Sequence, residues 1–422
     1  MHCESQMRWF IWGVLFLLSD LSSSSSPAPA AFVGVQDGHF QLNGSPFVFN
    51  GFNSYWMMSV AADPNQRHKV SDVFRDAAAA ALTVCRTWAF ADGGYHALQI
   101  SPGVYDERVF QGLDFVIWEA RKYGIRMILS LVNNYKDYGG RAQYVRWAEA
   151  AGDQIHNDDD FYTNQLINTY YKNHLQKVLR RKNSINGLRY MDDPTIMGWE
   201  LMNEPRCEVD SSGNTINRWV EEMGSYVKSI DKKHLVGIGM EGFYGDSSPT
   251  KIKSNPNSYK LGTDFIANNL NKYIDFATIH AYPDAWLPGQ SEATKMAFLE
   301  EWITTHWTDS KTILKKPLIF EEFGKSTKGQ NLTFSVRDRD LFLSKVYSII
   351  YNLARNGATM AGGLVWQVMA EGMESYYDGY EIVLSQNPST NSIITQQSNN
   401  MAALHTVKLN IKTQHRLNKS RY

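Results

Sequence analysis

The chain has 422 residues, is 43% hydrophobic and carries a formal charge of −1. Charge that is near zero and well mixed excludes the basic stripe of a nucleic-acid binder, so no nucleic-acid partner is expected. The length does not demand two domains, because (β/α)8 barrels run from ~250 to over ~400 residues as one unit.

The first thirty residues read as a secretory signal peptide. Arg8 precedes an apolar run from Trp9 to Leu18, and "LSSSSSPAPAA" then supplies the small residues of a cleavage region. Cleavage is expected between Ser26 and Ala31. The run is shorter than the ~20 apolar residues that cross a bilayer, and no later segment reaches that length, so no stable membrane association is expected. Export would make Asn43, Asn331 and Asn418 glycan acceptors, since each opens an Asn-X-Ser/Thr sequon. Cys85 and Cys207 remain after cleavage and either pair or stay as separate buried thiols. Cys85 lies in an apolar run and reads as a small buried hydrophobe.

From Phe47 onward short apolar runs alternate with longer amphipathic stretches. The runs are "FVFNGFN" (47–53), "LTVCRTW" (82–88), "IRMILSLV" (125–132), "TIMGWELMN" (195–203), "LVGIGM" (235–240), "IDFATIH" (274–280), "PLIFEEFG" (317–324) and "AGGLVWQV" (361–368). Helices are expected over 68–81, 106–124, 162–182, 215–231, 291–307 and 336–357, where apolar residues recur at three- and four-residue intervals. In the second, Val109, Leu113, Val116, Ile117 and Ala120 share one face, and Gly124 suits a C-cap. Long loops are expected over 133–160 and 281–290, a long polar segment over 241–273, and a polar, loop-like stretch over 384–399 before a short final helix. Near-continuous apolar strands are covered on both sides, and eight of them with helices between predict an α/β fold, a single-domain (β/α)8 TIM barrel.

In such a barrel the functional groups sit at the C-terminal strand ends. Those ends carry Asn53 and Tyr55, Arg86, Asn133 and Asn134, Asn203 and Glu204, Glu241, His280 and Tyr282, Glu322, and Trp366. Two carboxylates among an arginine, amides, a histidine and aromatic rings suit glycosidic bond hydrolysis, where one carboxyl protonates the leaving oxygen and another faces the anomeric carbon. Glu204 and Glu322 lie 118 residues apart, so only the fold can join them. The first must be held protonated by burial or by its neighbour's charge, and the second must stay ionised. Arg86 has the fork geometry to hold a carboxylate, and Asn203 can hydrogen-bond a sugar hydroxyl. His280 is expected to orient a carboxylate and Trp366 to floor the sugar ring. Glu321 alternates with Glu322 along a strand and is expected to point away from the cavity. Trp56, Trp88 and Trp286 are expected to line the cleft with Asn53 and Asn134; 12 Trp, 22 Tyr and 20 Phe are more than a core needs and are compatible with a sugar ligand.

"CRTWAFADGGYHALQISPGVYDERVFQGLDF", "SLVNNYKDYGG", "GWELMNEPRC", "EGFYG", "HAYPDAWLP", "EEFGKS" and "VWQVMAEGMESYYDGYEIVLSQNPST" together resemble the plant endo-β-mannanases of glycoside hydrolase family 5. The resemblance runs from about Val33 to the C-terminus. It implies a retaining mechanism with Glu204 as acid/base and Glu322 as nucleophile, and it places Arg86, Asn203, His280, Tyr282 and Trp366 at the remaining active-site positions. The implied substrates are the β-mannans: mannan, glucomannan and galactomannan. Transfer of a mannan chain to another sugar is implied as a side reaction. Residues 31–422 are then one catalytic barrel with its C-terminal helix, secreted to the cell wall, monomeric and free of cofactor and metal. An endo-β-1,4-glucanase on the same fold would use the same machinery, the difference lying at the axial 2-hydroxyl of mannose. A non-catalytic wall-binding protein would lack Glu204 or Glu322, and both are present. A metal hydrolase would need clustered His and Asp ligands at strand ends, where only His280 qualifies.

Overall fold

The computed structural model describes residues 31–327, 335–357 and 359–419, the side chains of 405–419 excepted. The signal segment and Asn331 lie outside the described residues, as does the side chain of Asn418. Asn43 is exposed in a hairpin turn, at φ 52°.

All eight expected strands form: β1 (Phe49–Asn53), β2 (Val84–Trp88), β3 (Arg126–Ser130), β4 (Ile196–Glu200), β5 (Leu235–Gly237), β6 (Ala277–Ala281), β7 (Leu318–Phe323) and β8 (Met360–Val365). They make one parallel sheet in the order β5-β4-β3-β2-β1-β8-β7-β6. Between β5 and β6 the barrel closes through Asp275 N–H to Val236 O (2.8 Å) and His280 N–H to Glu241 O (2.9 Å). Every strand residue is buried, as expected of strands covered by helices outside and side chains inside.

The six expected helices surround the barrel: α1 (Arg67–Ala79), α2 (Glu107–Lys122), α3 (Gln165–Leu179), α4 (Asn214–Ile230), α5 (Glu292–Asp309) and α6 (Val336–Arg355). In α2 the predicted apolar face is buried throughout, and Asp106 caps the helix by accepting from Arg108 N–H (2.8 Å). The final helix, α7, departs from expectation: it spans Pro388–Lys419 and begins inside the stretch read as loop. Its Ser, Thr, Asn and Gln residues favour turns in isolation, but here they meet polar groups of the barrel. Asn50 donates to Ile394 O and Ser398 Oγ, and Arg339 donates to Thr390 Oγ1. The expected loop over 133–160 also contains a helix, Gly140–Ala150.

The barrel floor is closed by a feature the strand runs did not announce. A three-stranded antiparallel sheet over residues 34–46 lies across the bottom. Val33, Phe40 and Phe47 join Phe49, Val84, Ile128, Met197, Leu235, Phe276, Ile319 and Leu364 in one apolar cluster. An apolar floor leaves the upper interior for polar groups.

Candidate active site

Above that floor lies a polar layer centred on Arg86 of β2, which is 1% exposed. Its Nε donates to Glu200 Oε2 (2.8 Å), one terminal nitrogen to Asn53 Oδ1 (3.2 Å) and to Glu322 Oε1, the other to Asn203 Oδ1 (2.7 Å) and Ser130 Oγ (3.3 Å). The guanidinium offers a rigid fork of five N–H donors, and every nitrogen is used. Burial works against the charge, but Glu200, Glu321 and Glu322 outweigh it and hold Arg86 protonated.

Glu204 and Glu322 meet as predicted. One oxygen of each, together with a nitrogen of His280, lie within 4.8 Å of one another. Glu322 accepts from Arg86 and from the Tyr282 hydroxyl, the latter at 2.7 Å. Glu204 accepts from His280 Nδ1 (2.7 Å) and from the Tyr135 hydroxyl (2.9 Å). Its backbone is left-handed at φ 49°, a conformation costing a non-glycine residue about 1–2 kcal/mol. The bond from Glu204 N–H to Gly239 O (2.7 Å) holds it there and aims the side chain into the barrel mouth.

His280 has carboxylate oxygens on both ring nitrogens: Glu204 at Nδ1 and Glu321 at Nε2 (3.3 Å). Ionised carboxylates only accept, so a ring donating from both sides is an imidazolium. Burial pushes its pKa down, but Glu322, Glu204 and Glu321 overcome that and raise it well above the ordinary range. Burial likewise pushes Glu204 up, while the hydrogen bond and charge of His280, then Arg206 and Tyr135, hold it below the usual glutamate range. The net push on Glu204 is downward, the opposite direction to that expected of an acid held protonated by burial or by its neighbour's charge. His280 Nδ1 and Glu204 Oε1 share a 2.7 Å hydrogen bond.

Other expectations change as well. Glu321 does not turn away. Register shifts in β7 between Phe320 and Phe323 and in β6 between Ile279 and His280 break the alternation, so Glu321 and Glu322 both face Arg86 and His280. Trp56 is not a cleft residue: it is fully buried and donates Nε1–H to Val368 O (3.2 Å). Asn53 is also buried, with Nδ2 on Glu321 O (2.8 Å) and Oδ1 on Arg86, so it holds the arginine instead of meeting a ligand. Asn203 spends Oδ1 on Arg86 and one Nδ2 hydrogen on Asn133 Oδ1 (3.0 Å), leaving its second hydrogen. Asn134 is buried against the neighbouring loop, accepting from Arg206 N–H. Half-buried Trp366 stacks on Tyr55 (5.6 Å, 8°), and Tyr55 packs on Trp88 (4.8 Å), which is 7% exposed. Half-buried Trp286 packs on Phe243 and Trp302 at the next rim position. Cys85 and Cys207 are separate buried thiols.

Sequence reasoning missed Glu200, Arg206 and Tyr135. Arg206 grips Glu241 through both oxygens (2.7 and 2.9 Å) and lies over the Tyr135 ring at 5.6 Å. Five buried carboxyls, those of Glu200, Glu204, Glu241, Glu321 and Glu322, thus face the cations Arg86, Arg206 and His280. Of the five, Glu200 and Glu241 are the two that the surroundings push toward the neutral form. Burial pushes Glu200 up to about 8, with Glu321 adding and Arg86 opposing. Burial and the Glu204 charge push Glu241 up to about 7 against Arg206.

Residues 30–377 match the family described as "GH family 5 beta-mannosidase-like". The chain belongs to glycoside hydrolase family 5. It is 60% identical over 405 residues to tomato (Solanum lycopersicum) mannan endo-1,4-beta-mannosidase 5, covering 94% of this chain and 97% of the relative. It is 62% identical over 377 residues to tomato mannan endo-1,4-beta-mannosidase 1, covering 89% and 93%. Among solved structures, the endo-1,4-beta-mannanase of Rhizomucor miehei superposes with a TM-score of 0.73 at 31% identity, covering 89% of this chain and 99% of that one. Membership in the family gives the paired carboxyls at the barrel mouth their chemical context.

Proposed function

We propose that this chain hydrolyses β-1,4-mannosidic bonds within mannan, glucomannan and galactomannan by retaining double displacement, with Glu322 as nucleophile and Glu204 as acid/base. The observation that carries this reading is the carboxyl spacing: oxygens of Glu204 and Glu322 within 4.8 Å, in a family 5 chain. Retaining glycosidases hold their carboxyls ~5–5.5 Å apart, whereas inverting ones leave ~6.5–9.5 Å for a water.

In the first step a Glu322 oxygen attacks the anomeric carbon while the glycosidic C–O bond breaks. The proton in the Glu204–His280 hydrogen bond passes through Glu204 to the departing oxygen. Water then attacks the glycosyl-enzyme, giving its proton to Glu204 as the Glu322 ester breaks; a sugar hydroxyl in place of water gives chain transfer. Arg86 and Tyr282 hydrogen-bond Glu322 before attack and receive its charge when it leaves. Trp366, braced by Tyr55, offers a flat face to a sugar ring, and the spare Asn203 hydrogen reaches toward its 2-hydroxyl. No described helix is long and apolar enough to cross a membrane, and the pattern of residues 1–30 supports export to the cell wall.

The test is reducing-end release from mannan, glucomannan and cellulose. The wild type should cut mannan faster than cellulose, and Glu204→Gln and Glu322→Gln should each abolish most activity. Faster cleavage of cellulose would favour a glucanase. Near-full activity in either variant would remove that residue from its role.

A further inference from the structure

The Glu200–Glu321 pair beneath the nucleophile touches no reacting atom in the chemistry above. Both carboxyls are fully buried on neighbouring sides of Arg86, Glu200 at 2.8 Å from its Nε and Glu321 at 3.7 Å. Their Oε2 atoms approach the same Arg86 Nε from two different strands. Each uses Oε2 on the surrounding donors, and each leaves Oε1 without a protein donor. The groups facing them are Arg86 of β2, Ser130 of β3, and His280 of β6, with Glu322 adjacent on β7 and Glu204 across His280. On the β5 side the backbone comes close: a Cβ on Gly239, at φ 86°, would stand 3.3 Å from Glu200 Oε2. Two ionised carboxylates here would repel in a fully buried site, while one proton between them satisfies a buried oxygen and removes a charge.

We propose that Glu200 and Glu321 share a single proton and act as positioning residues for Arg86, so that losing that proton releases the Arg86 grip on Glu322 and ends activity on the alkaline side. With the proton present, the pair carries one negative charge and Arg86 keeps a terminal nitrogen for Glu322. Without it, the pair carries two and competes with the nucleophile for the same guanidinium. The upward push on Glu200 agrees with this arrangement, as does the downward one on Glu321, where burial is outweighed by Arg86, Glu200 and His280. The inference rests on Glu322 being the nucleophile.

The experiment follows the rate at which a 2-fluoro mannobiosyl fluoride labels the enzyme between pH 5 and 10, with the labelled peptide identified by mass. In this reaction a Glu322 oxygen bonds to the anomeric carbon and fluoride leaves. Glu200→Gln supplies the neutral hydrogen-bonding group permanently, so its labelling should be slower at the optimum but keep its rate to higher pH, the alkaline limb moving up by about one unit or more. Glu321→Gln leaves one carboxyl of the pair beside Arg86 and should move the limb the same way. Label on Glu322 with the limb unmoved in both variants would overturn the proposal. Label on another residue would instead overturn the nucleophile assignment. Infrared spectra of the wild type provide a check independent of variant folding: a buried carboxylic-acid band should vanish along the same pH limb. A band absent at neutral pH would also overturn the shared proton.

Discussion

Replacing Tyr282 with phenylalanine removes one oxygen from the site while the ring can keep its edge-to-face contact with Tyr380 at 5.5 Å. The lost group donates to Glu322 Oε2 at 2.7 Å. Burial, then the charges of Glu322 and Glu204, push the phenol well above its ordinary pKa, so it remains a donor through the working range. A hydrogen bond to a charged group contributes about 1.5–3 kcal/mol. At ~1.4 kcal/mol per tenfold, its removal should lower kcat/KM about 10- to 150-fold. Glu322 keeps its Arg86 contact, so the variant stays active. Steady-state kinetics on mannan oligosaccharides of defined length, with a denaturation midpoint as control, read this directly. An unchanged kcat/KM would refute the claim that this bond orients the nucleophile. A loss as complete as that of Glu322→Gln would show that Tyr282 does more than orient it.

Arg86→Lys replaces a planar fork by a point charge and strands buried acceptors among Glu200, Asn203 and Glu322. Breaking a buried pair costs about 3–5 kcal/mol, so the denaturant midpoint and kcat/KM should both fall; wild-type values would contradict the network. Trp56→Phe should cost about 1–3 kcal/mol of stability through the lost bond to Val368 O and the smaller ring, with KM unchanged. A raised KM at full stability would return Trp56 to the cleft. Glu241→Gln tests the second buried proton. The folded pKa of Glu241 lies near 7, above its ordinary value, so its contribution is complete below the usual glutamate range and is lost as pH rises through about 7. Denaturant midpoints at pH 5 and 8 should therefore differ less in the variant, by up to about 3 kcal/mol. An unaltered difference would show that Glu241 is ionised throughout.

The barrel was legible because a fully buried parallel strand must be apolar on both faces, and eight such runs stand out between amphipathic helices. Glu204, Glu322, Arg86, His280 and Tyr282 were legible for a related reason: polar groups at the ends of apolar runs have few structural uses. Glu200 escaped notice because it lies inside such a run, in "GWELMNEP", where one inward carboxyl looks like an interruption. Glu321 was misassigned because strict alternation assumes an unbroken ladder, and β7 shifts register beside it. Trp56 and Asn53 show the converse. A residue type suited to sugar binding, placed near a strand end, says nothing about whether its side chain turns up to the mouth or down into the packing. The α7 helix was obscured because its polar residues favour loops until the barrel supplies their partners.

The stereochemistry of cleavage tests the roles of Glu204 and Glu322 most directly. Proton NMR of a mannohexaose digest, recorded before mutarotation, reports the anomer released first. Oxygens of Glu204 and Glu322 within 4.8 Å predict a β-anomer, formed through an ester on Glu322. An α-anomer as first product would contradict the double displacement and the roles assigned to both carboxylates.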